Sequence, residues 1–179
     1  AMQALARFHL LAVSEGTPGF ARHVAPAVHL RHTTLRRIAE HCTRIDAHLQ
    51  PALGAEFDSR AIRLLRLMCD LGEEFAPRLG ALQERVWYQQ PVIRDIWHDH
   101  VLFTGDQVTG IVDFGAMNID TPLTDVARLL GSLVGDDRPL RRFALAAYCE
   151  VQPLDFEGIQ IIDLLDYSGQ VVAAVNWLT

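Results

Sequence analysis

The sequence predicts an α+β fold that is predominantly α-helical, a kinase-like arrangement in which one small β-hairpin carries the functional loops. Apolar residues recur every three or four positions through most of the chain, which indicates amphipathic helices. Near the middle, two short runs rich in β-branched residues flank a turn, which indicates a hairpin. The chain has 179 residues, of which 50% are hydrophobic and 21% are charged, enough for one domain with a core.

Two helices are predicted before residue 55. The segment from Met2 to Val13 has apolar residues at helical spacing, and a loop containing glycine and proline follows from Glu15 to Pro26. The second helix presents a single apolar face, and Pro51 and Gly54 are expected to end it. That face consists of Leu35, Ile38, Cys42, Ile45 and Leu49.

A third helix and the hairpin come next. The helix is predicted to begin near Asp58 or Ser59, either of which can cap it, and Pro77 is expected to break or kink it before a short helical continuation. The hairpin strands are Val101 to Phe103 and Val108 to Val112, and the turn residues T-G-D-Q join them.

Three more helices are predicted after the hairpin. Thr121 can cap one that extends through Leu133, and Asp137 opens another that ends at about Glu150. The last begins near Asp155. Both ends of the chain lie within apolar helical patterns, so we expect the sequence to be a fragment.

Composition excludes several classes of function. The net charge of −6 and the lack of a basic stripe argue against a nucleic-acid partner, and no apolar run is long enough for a membrane span. The N-terminal residues lack the features of a signal peptide. Three widely spaced cysteines, Cys42, Cys69 and Cys149, do not indicate a disulfide framework or a zinc site, so a reducing cytoplasm is expected.

The candidate site lies between residues 92 and 125. Asp95 comes before the hairpin and Asp113 follows it. Because a hairpin folds the chain back on itself, both carboxylates can lie at the same end of it. Phosphoryl transfer needs one carboxylate to orient the attacking hydroxyl and accept its proton, and another to hold the Mg²⁺ that neutralises charge on the phosphates.

This stretch resembles the catalytic segment of the aminoglycoside phosphotransferase and choline kinase group, which is related to the protein kinases. Asp95, which follows Arg94, falls on the catalytic aspartate, and Asp113-Phe114-Gly115 reproduces the metal-binding triplet. Asp125 resembles the aspartate that pins the catalytic loop through backbone hydrogen bonds. His9 is similar to the histidine of the A-x-x-H segment, and we expect it to be structural, packed against the catalytic loop.

The resemblance implies a phosphotransferase with ATP as the donor, Mg²⁺ or Mn²⁺ as the metal, and a hydroxyl of a small metabolite or an aminoglycoside-like molecule as the acceptor. Two departures bear on this. Ile93 stands where the family usually has histidine, and His100 stands where it has a metal-binding asparagine, so His100 is the candidate second metal ligand. Imidazole is not a preferred partner of Mg²⁺.

The basic residues add a further departure. All 16 of them are arginine, so the chain lacks the strand lysine that pairs with the nucleotide phosphates in these enzymes. No glycine-rich loop precedes the first helix either. The resemblance therefore implies that residues 1–179 form only the C-terminal lobe and that the N-terminal nucleotide-binding lobe is absent. We expect this lobe to be inactive alone. We expect the uncovered apolar cleft face to promote homo-oligomers.

Two alternatives stay open at this stage. The replacement of asparagine by His100 is compatible with a non-catalytic binding or scaffold module. His98, Asp99 and His100, with Asp95, are also compatible with a transition-metal site in an unrelated helical protein. Trp87, Tyr88 and Trp97 flank the site, and core packing is the expected role of the tryptophans.

Overall fold

Six α-helices and two small antiparallel sheets make up the described residues, 1–15, 19–21, 24–48 and 55–178, of a computed structural model. The predicted α+β, predominantly helical class is confirmed. The elements in chain order are α1 (Met2–Glu15), β1 (Gly19–Ala21), α2 (Pro26–His48), α3 (Ala55–Gly80), β2 (Trp87–Val92), a 3-10 turn (His98–His100), β3 (Val101–Thr104), β4 (Gln107–Ile111), β5 (Asn118–Asp120), α4 (Leu123–Val134), α5 (Arg138–Cys149) and α6 (Phe156–Leu178).

The two sheets lie on either side of the loop that carries Asp95. In the three-stranded sheet, β2 is central and pairs antiparallel with β1 and β5. In the hairpin, β3 and β4 pair from Val101 opposite Ile111 to the turn, with an irregularity between Leu102 and Phe103. The chain therefore leaves β2 at Val92, forms the loop, and enters the hairpin at Val101.

The core lies beneath this loop. Helix α1 packs against α5 and β2, and α4 packs against α6. The loop's own Ile93 and Ile96 are completely buried in this core. Because complete burial of a large apolar side chain stabilises a fold by about 1.5–3 kcal/mol, these two residues fix the loop to the core. Their fully buried companions include Leu5, Leu35, Trp87, Leu129, Tyr148 and Ile162.

Several helix boundaries agree with the sequence predictions. The carboxylate of Asp137 accepts a hydrogen bond of 3.0 Å from the backbone N–H of Leu140 and caps α5 as expected. Asp155 accepts one of 2.6 Å from the N–H of Gly158 at the start of α6. The hairpin strands match the prediction to within about one residue.

Other expectations were wrong. Strands β1, β2 and β5 were not predicted, and β1 lies inside the expected Glu15 to Pro26 loop. Helix α3 begins at Ala55 and continues through Pro77 to Gly80, after which the chain forms turns rather than a short helix. Pro77 removes the one intrahelical hydrogen bond that its N–H would donate, and the helix continues for only three residues beyond it. Pro51 and Gly54, the predicted end of the second helix, lie outside the described residues.

Helix α2 begins earlier than its apolar pattern indicated, at Pro26. Proline suits the first helical position because no intrahelical acceptor is available for an N–H there. The next N–H, that of Ala27, donates 2.9 Å to the buried carboxylate of Asp120 in β5, which satisfies a free donor of the helix terminus.

The cysteines also differ from expectation. Cys69 of α3 is disulfide-bonded, whereas Cys149 is a free thiol. Within the described residues, no helix combines the length and apolar character needed to cross a membrane.

Candidate active site

Asp125 holds the loop that contains Asp95. The carboxylate is completely buried in the first turn of α4, where negative charge is favoured by the helix dipole. Its Oδ2 accepts a hydrogen bond from the N–H of Ile93 and its Oδ1 accepts one from the N–H of Arg94, each at 2.7 Å. Both oxygens of one carboxylate therefore fix two successive peptide groups next to Asp95.

These two hydrogen bonds from the Ile93 and Arg94 peptide groups to Asp125, here called the clamp, also hold an unusual backbone conformation. Arg94 has φ = 68°, in the left-handed region that costs a non-glycine residue about 1–2 kcal/mol. Asp113, with φ = 65°, is the other non-glycine residue with positive φ in the described part of the chain. Such conformations persist where the surroundings impose them and are concentrated at functional sites. Here one of the two residues, Arg94, directly precedes Asp95, the predicted catalytic carboxylate, and the other is Asp113, the predicted metal ligand.

A buried polar chain supports Asp125 from behind. His9 Nε2 lies 3.1 Å from Asp125 Oδ2, and His9 Nδ1 lies 2.8 Å from the Tyr148 hydroxyl. Burial raises the pKa of Tyr148, and the nearby Asp125 carboxylate raises it further, so the phenol keeps its proton. His9 thus packs behind the loop, where the sequence placed it, and connects α1 and α5 to the clamp. Tyr148 was not singled out from the sequence.

Asp95 itself reaches solvent and pairs with an arginine. Its Oδ1 accepts a hydrogen bond of 2.5 Å from Arg128 Nη2, and both side chains are about half exposed. Arg128 follows Asp125 by three residues on α4, so the helix that pins the loop also orients its carboxylate. Asp95 and Arg128 line two adjoining cavities of about 460 and 270 Å³.

Asp113 and His100 form the second half of the site. Asp113 Oδ2 lies 3.6 Å from His100 Nε2, and the N–H of Val112 donates 3.0 Å to the carbonyl oxygen of His100. The Trp97 indole N–H donates 2.7 Å to the same Nε2. Trp97 therefore connects the segment of Asp95 to that of Asp113 through the His100 ring.

This contact also tests whether the residues suit a metal ion. The carboxylate of Asp113 is largely exposed and offers the hard oxygen that Mg²⁺ prefers. His100 is different, because an indole N–H can only donate and so uses the lone pair of Nε2. The other ring nitrogen, Nδ1, is buried and has no hydrogen-bond partner among the described residues. Asp113 thus suits Mg²⁺ as it stands, whereas His100 must leave Trp97 before Nε2 can coordinate.

The remaining residues of the triplet flank Asp113. The Phe114 ring is partly exposed and lies 5.7 Å from the Phe8 ring, measured between centroids. A Cβ on Gly115 would lie 3.5 Å from Asp113 Oδ1, an ordinary van der Waals distance, so this glycine lies directly beside the carboxylate. The triplet is therefore held against α1 on one side and against the 3-10 turn on the other.

The H-D-H segment does not assemble a metal cluster of its own. His98 Nε2 lies 3.2 Å from the adjacent Asp99 Oδ1, and both side chains are about half exposed. Among the described residues, no three His, Cys, Asp or Glu side chains are grouped to hold a metal ion. The geometry therefore gives no support to the transition-metal alternative.

Three residues of the site were missed or misread from the sequence, namely Trp97, Arg128 and Arg31. Core packing was expected of the tryptophans, and it holds for Trp87, which is 2% exposed, but not for Trp97, which is 37% exposed and contacts His100. Arg128 could have been noticed from its three-residue spacing to Asp125. Arg31 reaches the cavities from α2, more than sixty residues away in sequence, and no pattern marks it.

A pinned aspartate loop, a hairpin and an Asp-Phe-Gly triplet on a helical lobe define the class of kinase-like folds. The family model described as the phosphotransferase enzyme family matches residues 1–159, and the chain belongs to that family. The resemblance predicted from the sequence is thereby confirmed. A comparison with curated proteins finds no match.

Proposed function

We propose that this protein is an ATP-dependent phosphotransferase that acts on an alcohol group of a small molecule, and that residues 1–179 are its C-terminal lobe. Membership of the phosphotransferase family supports the reaction class. The observation that carries the assignment to residues is the clamp on the loop. Asp125 fixes the peptide groups before Asp95, and Asp95 projects from that rigid base into a cavity.

In the proposed reaction Asp95 receives the acceptor hydroxyl. Its Oδ2 accepts a hydrogen bond from the hydroxyl, while Arg128 donates to Oδ1 and holds the carboxylate in place. The acceptor oxygen forms a bond to the γ-phosphorus, the bond from that phosphorus to the bridging oxygen of ADP breaks, and the hydroxyl proton passes to Asp95. Positioning supplies most of the catalysis, which is why a rigid loop matters.

Asp113 is the proposed metal ligand, for Mg²⁺ or Mn²⁺, and His100 is the candidate second ligand. When bound at Asp113, the metal would supply the positive charge that neutralises the charge developing on the phosphates of ATP. The segment of Asp113 is held by the hydrogen bond from the N–H of Val112 to the carbonyl oxygen of His100, and Asp113 itself has a left-handed backbone. Phe114 and Arg94 belong to the structural support of the site, together with His9 and Asp125.

Nucleotide binding by this lobe alone is expected to be weak. The chain has no lysine to pair with the α- and β-phosphates, so we propose that an N-terminal lobe supplies it. A cytoplasmic location belongs to the same proposal, since ATP is the donor. The disulfide at Cys69 is the observation that weighs against that location, because disulfides are rare in reducing compartments.

The test is ATP consumption by the full-length protein across a panel of hydroxyl acceptors. Asp95→Asn keeps the size of the side chain but removes the base, and we expect a loss of kcat of roughly 10²–10⁴-fold with little change in stability. Asp99→Asn is the matched control, because Asp99 is exposed on the adjacent turn and contacts only His98 among the interactions described. Equal turnover by the Asp95→Asn and Asp99→Asn variants would reject Asp95 as the base.

A non-catalytic binding module is the second candidate, and one observation favours it. The hydrogen bond from Trp97 occupies the His100 nitrogen that faces Asp113, at the position where the family has asparagine. The same panel separates the two functions. A binding module would bind a small molecule without consuming ATP for any acceptor.

A further inference from the structure

The smaller of the two cavities beside Asp95 is lined by more cationic groups than the pairing of that carboxylate requires. The larger cavity, which also has Asp136 and Asp166 in its wall, adjoins it, and the two share lining residues from three helices and the loop that carries Asp95. Three guanidinium groups and a single carboxylate stand in this shared part. Its members are Arg31, Arg94, Asp95, Arg128, Gly169 and Ala173.

Arg31 is the most unusual of these cations. It projects from α2, and its Nη1 donates 3.1 Å to the carbonyl oxygen of Ala27, one turn earlier. Its Nε is buried and has no hydrogen-bond partner among the described residues. Burial lowers the pKa of Arg31 to about 10, although Asp120 acts in the opposite direction. A buried guanidinium with an unused donor is costly unless an anion completes it.

The nearby carboxylates are already engaged elsewhere. Asp120 Oδ2 accepts the hydrogen bond from Ala27 and lies 4.0 Å from Arg94 Nε, which is a long ion pair. Two carboxylates in the wall of the larger cavity are also engaged, Asp166 by Arg141 at 2.8 Å and Asp136 by the Tyr167 hydroxyl, which donates at 3.0 Å. Arg31 and Arg94 therefore retain donors that no carboxylate of the described residues saturates.

Gly169 lets Arg31 lie along the cavity wall. A Cβ at this position of α6 would lie only 3.2 Å from Arg31 Nη2, so a larger residue would displace the guanidinium. The Nε and Nη2 edge of the guanidinium therefore packs against α6, which holds the planar group in a fixed orientation and leaves its remaining N–H groups for the cavity that Arg31 lines. Arginine N–H groups bind phosphate and carboxylate oxygens.

We propose that the acceptor of this phosphotransferase is a small hydroxy compound that carries an anionic group, a phosphate or a carboxylate, which Arg31 and Arg94 bind. This inference rests on the proposed function, because it places the hydroxyl of the same molecule at Asp95. The smaller cavity, at about 270 Å³, lies at the lower end of the range for small-molecule sites, which favours a compact acceptor. In this smaller cavity a polycationic aminoglycoside would face three guanidinium groups and one carboxylate, which disfavours its binding there.

Binding is measured directly by calorimetry on the full-length protein, without ATP. The probes are sn-glycerol 3-phosphate and glycerate for the two anionic groups, with glycerol as the neutral analogue and kanamycin as the polycation. We expect at least one anionic probe to bind at least tenfold more tightly than glycerol, and kanamycin not to compete with it. The stronger of the two probes identifies whether phosphate or carboxylate is preferred.

Two variants locate the anion. Arg31→Gln and Arg94→Gln are each expected to weaken binding of the preferred probe at least tenfold, whereas Arg142→Gln, the same change on the exposed face of α5, leaves it unchanged. Arg94 is partly exposed, so Arg94→Gln still tests the site if Arg31→Gln fails to fold. Binding of glycerol or kanamycin as tight as that of the anions, or unchanged binding by folded Arg31→Gln or Arg94→Gln protein, would overturn the inference.

These outcomes are separable from those of the ATP assay. Arginine-dependent anion binding without turnover supports the cavity assignment and rejects the proposed enzyme. Turnover that occurs only with neutral or cationic acceptors supports the enzyme and rejects the anionic acceptor.

Discussion

Asp125 joins three segments that are far apart in the sequence. It accepts hydrogen bonds from the peptide groups of Ile93 and Arg94, and it contacts His9 of α1. A buried carboxylate with every partner in place stabilises a loop well, but the same arrangement is costly to disturb. The residue thus links the stability of the fold to the position of Asp95.

Replacement of Asp125 by asparagine should therefore destabilise the protein and loosen the loop. Asparagine has one acceptor oxygen in place of two, so one of the two peptide N–H groups would face an NH₂ group. We expect the free energy of unfolding to fall by roughly 2–4 kcal/mol, measured by urea denaturation. Amide hydrogen exchange at Ile93 and Arg94 should accelerate. Asp99→Asn is the control, and equal stability of the Asp125→Asn and Asp99→Asn variants would contradict the clamp.

The sequence predicted the residues of the site better than their contacts. Asp95, Asp113 and Asp125 became candidates because the order of a strand, a turn, an Asp-Phe-Gly triplet and a helix-start aspartate, which carries the resemblance to the phosphotransferases, is local information. The partners Arg128 and Tyr148 come from other segments, and only the packing of α4, α5 and α1 brings them to the site. The contact of Trp97 with His100 depends on a 3-10 turn, which the pattern of the H-D-H segment did not indicate.

At the scale of elements, the hairpin strands and the helices with a clear apolar face or a capping residue were predictable, whereas the strands of the three-stranded sheet were not. Strands β1 and β5 have three residues each, too few for an alternating pattern, and they form because β2 lies between them. Strand β2 is buried at most positions and carries a proline and two glutamines, so it shows no apolar alternation either. Tertiary pairing rather than local preference decides these elements.

Helices α4 and α6 approach each other closely at Gly131. A Cβ at this position would overlap the carboxylate of Asp166, which is buried and pairs with Arg141. Alanine at an exposed helical position would normally stabilise a helix by about 1 kcal/mol relative to glycine. Here the overlap should dominate, because overpacking costs about 1–3 kcal/mol and the ion pair would also be displaced.

Gly131→Ala is therefore expected to lower the free energy of unfolding, measured by urea denaturation. A double-mutant cycle with Asp166→Ala provides the control. Once the carboxylate is removed, the added methyl group has room, and the substitution should cost less than it does in the wild-type protein. The same cost on both backgrounds would show that the contact between α4 and α6 does not limit this position.

At the scale of the whole molecule, exposed apolar side chains are concentrated around the hairpin and the Asp-Phe-Gly triplet. Six large ones between residues 102 and 119 are at least 39% exposed, namely Leu102, Phe103, Val112, Phe114, Met117 and Ile119. Exposed apolar side chains concentrated on one segment are a candidate surface for contact with another chain or domain. In the proposed enzyme this covering element is the nucleotide-binding lobe, which also supplies the missing lysine.

The chain of residues 1–179 alone should therefore self-associate, and the weight-average mass from light scattering should rise with protein concentration. Phe103, which is 51% exposed in β3, lies within this surface, so Phe103→Glu should shift the mass toward that of the monomer. Phe143→Glu is the control, because Phe143 is 75% exposed but lies on α5, outside the surface. If exposed apolar area in general caused association, both variants would reduce it equally. A monomer at every concentration would mean that this face needs no cover, which would remove one support for an absent second lobe.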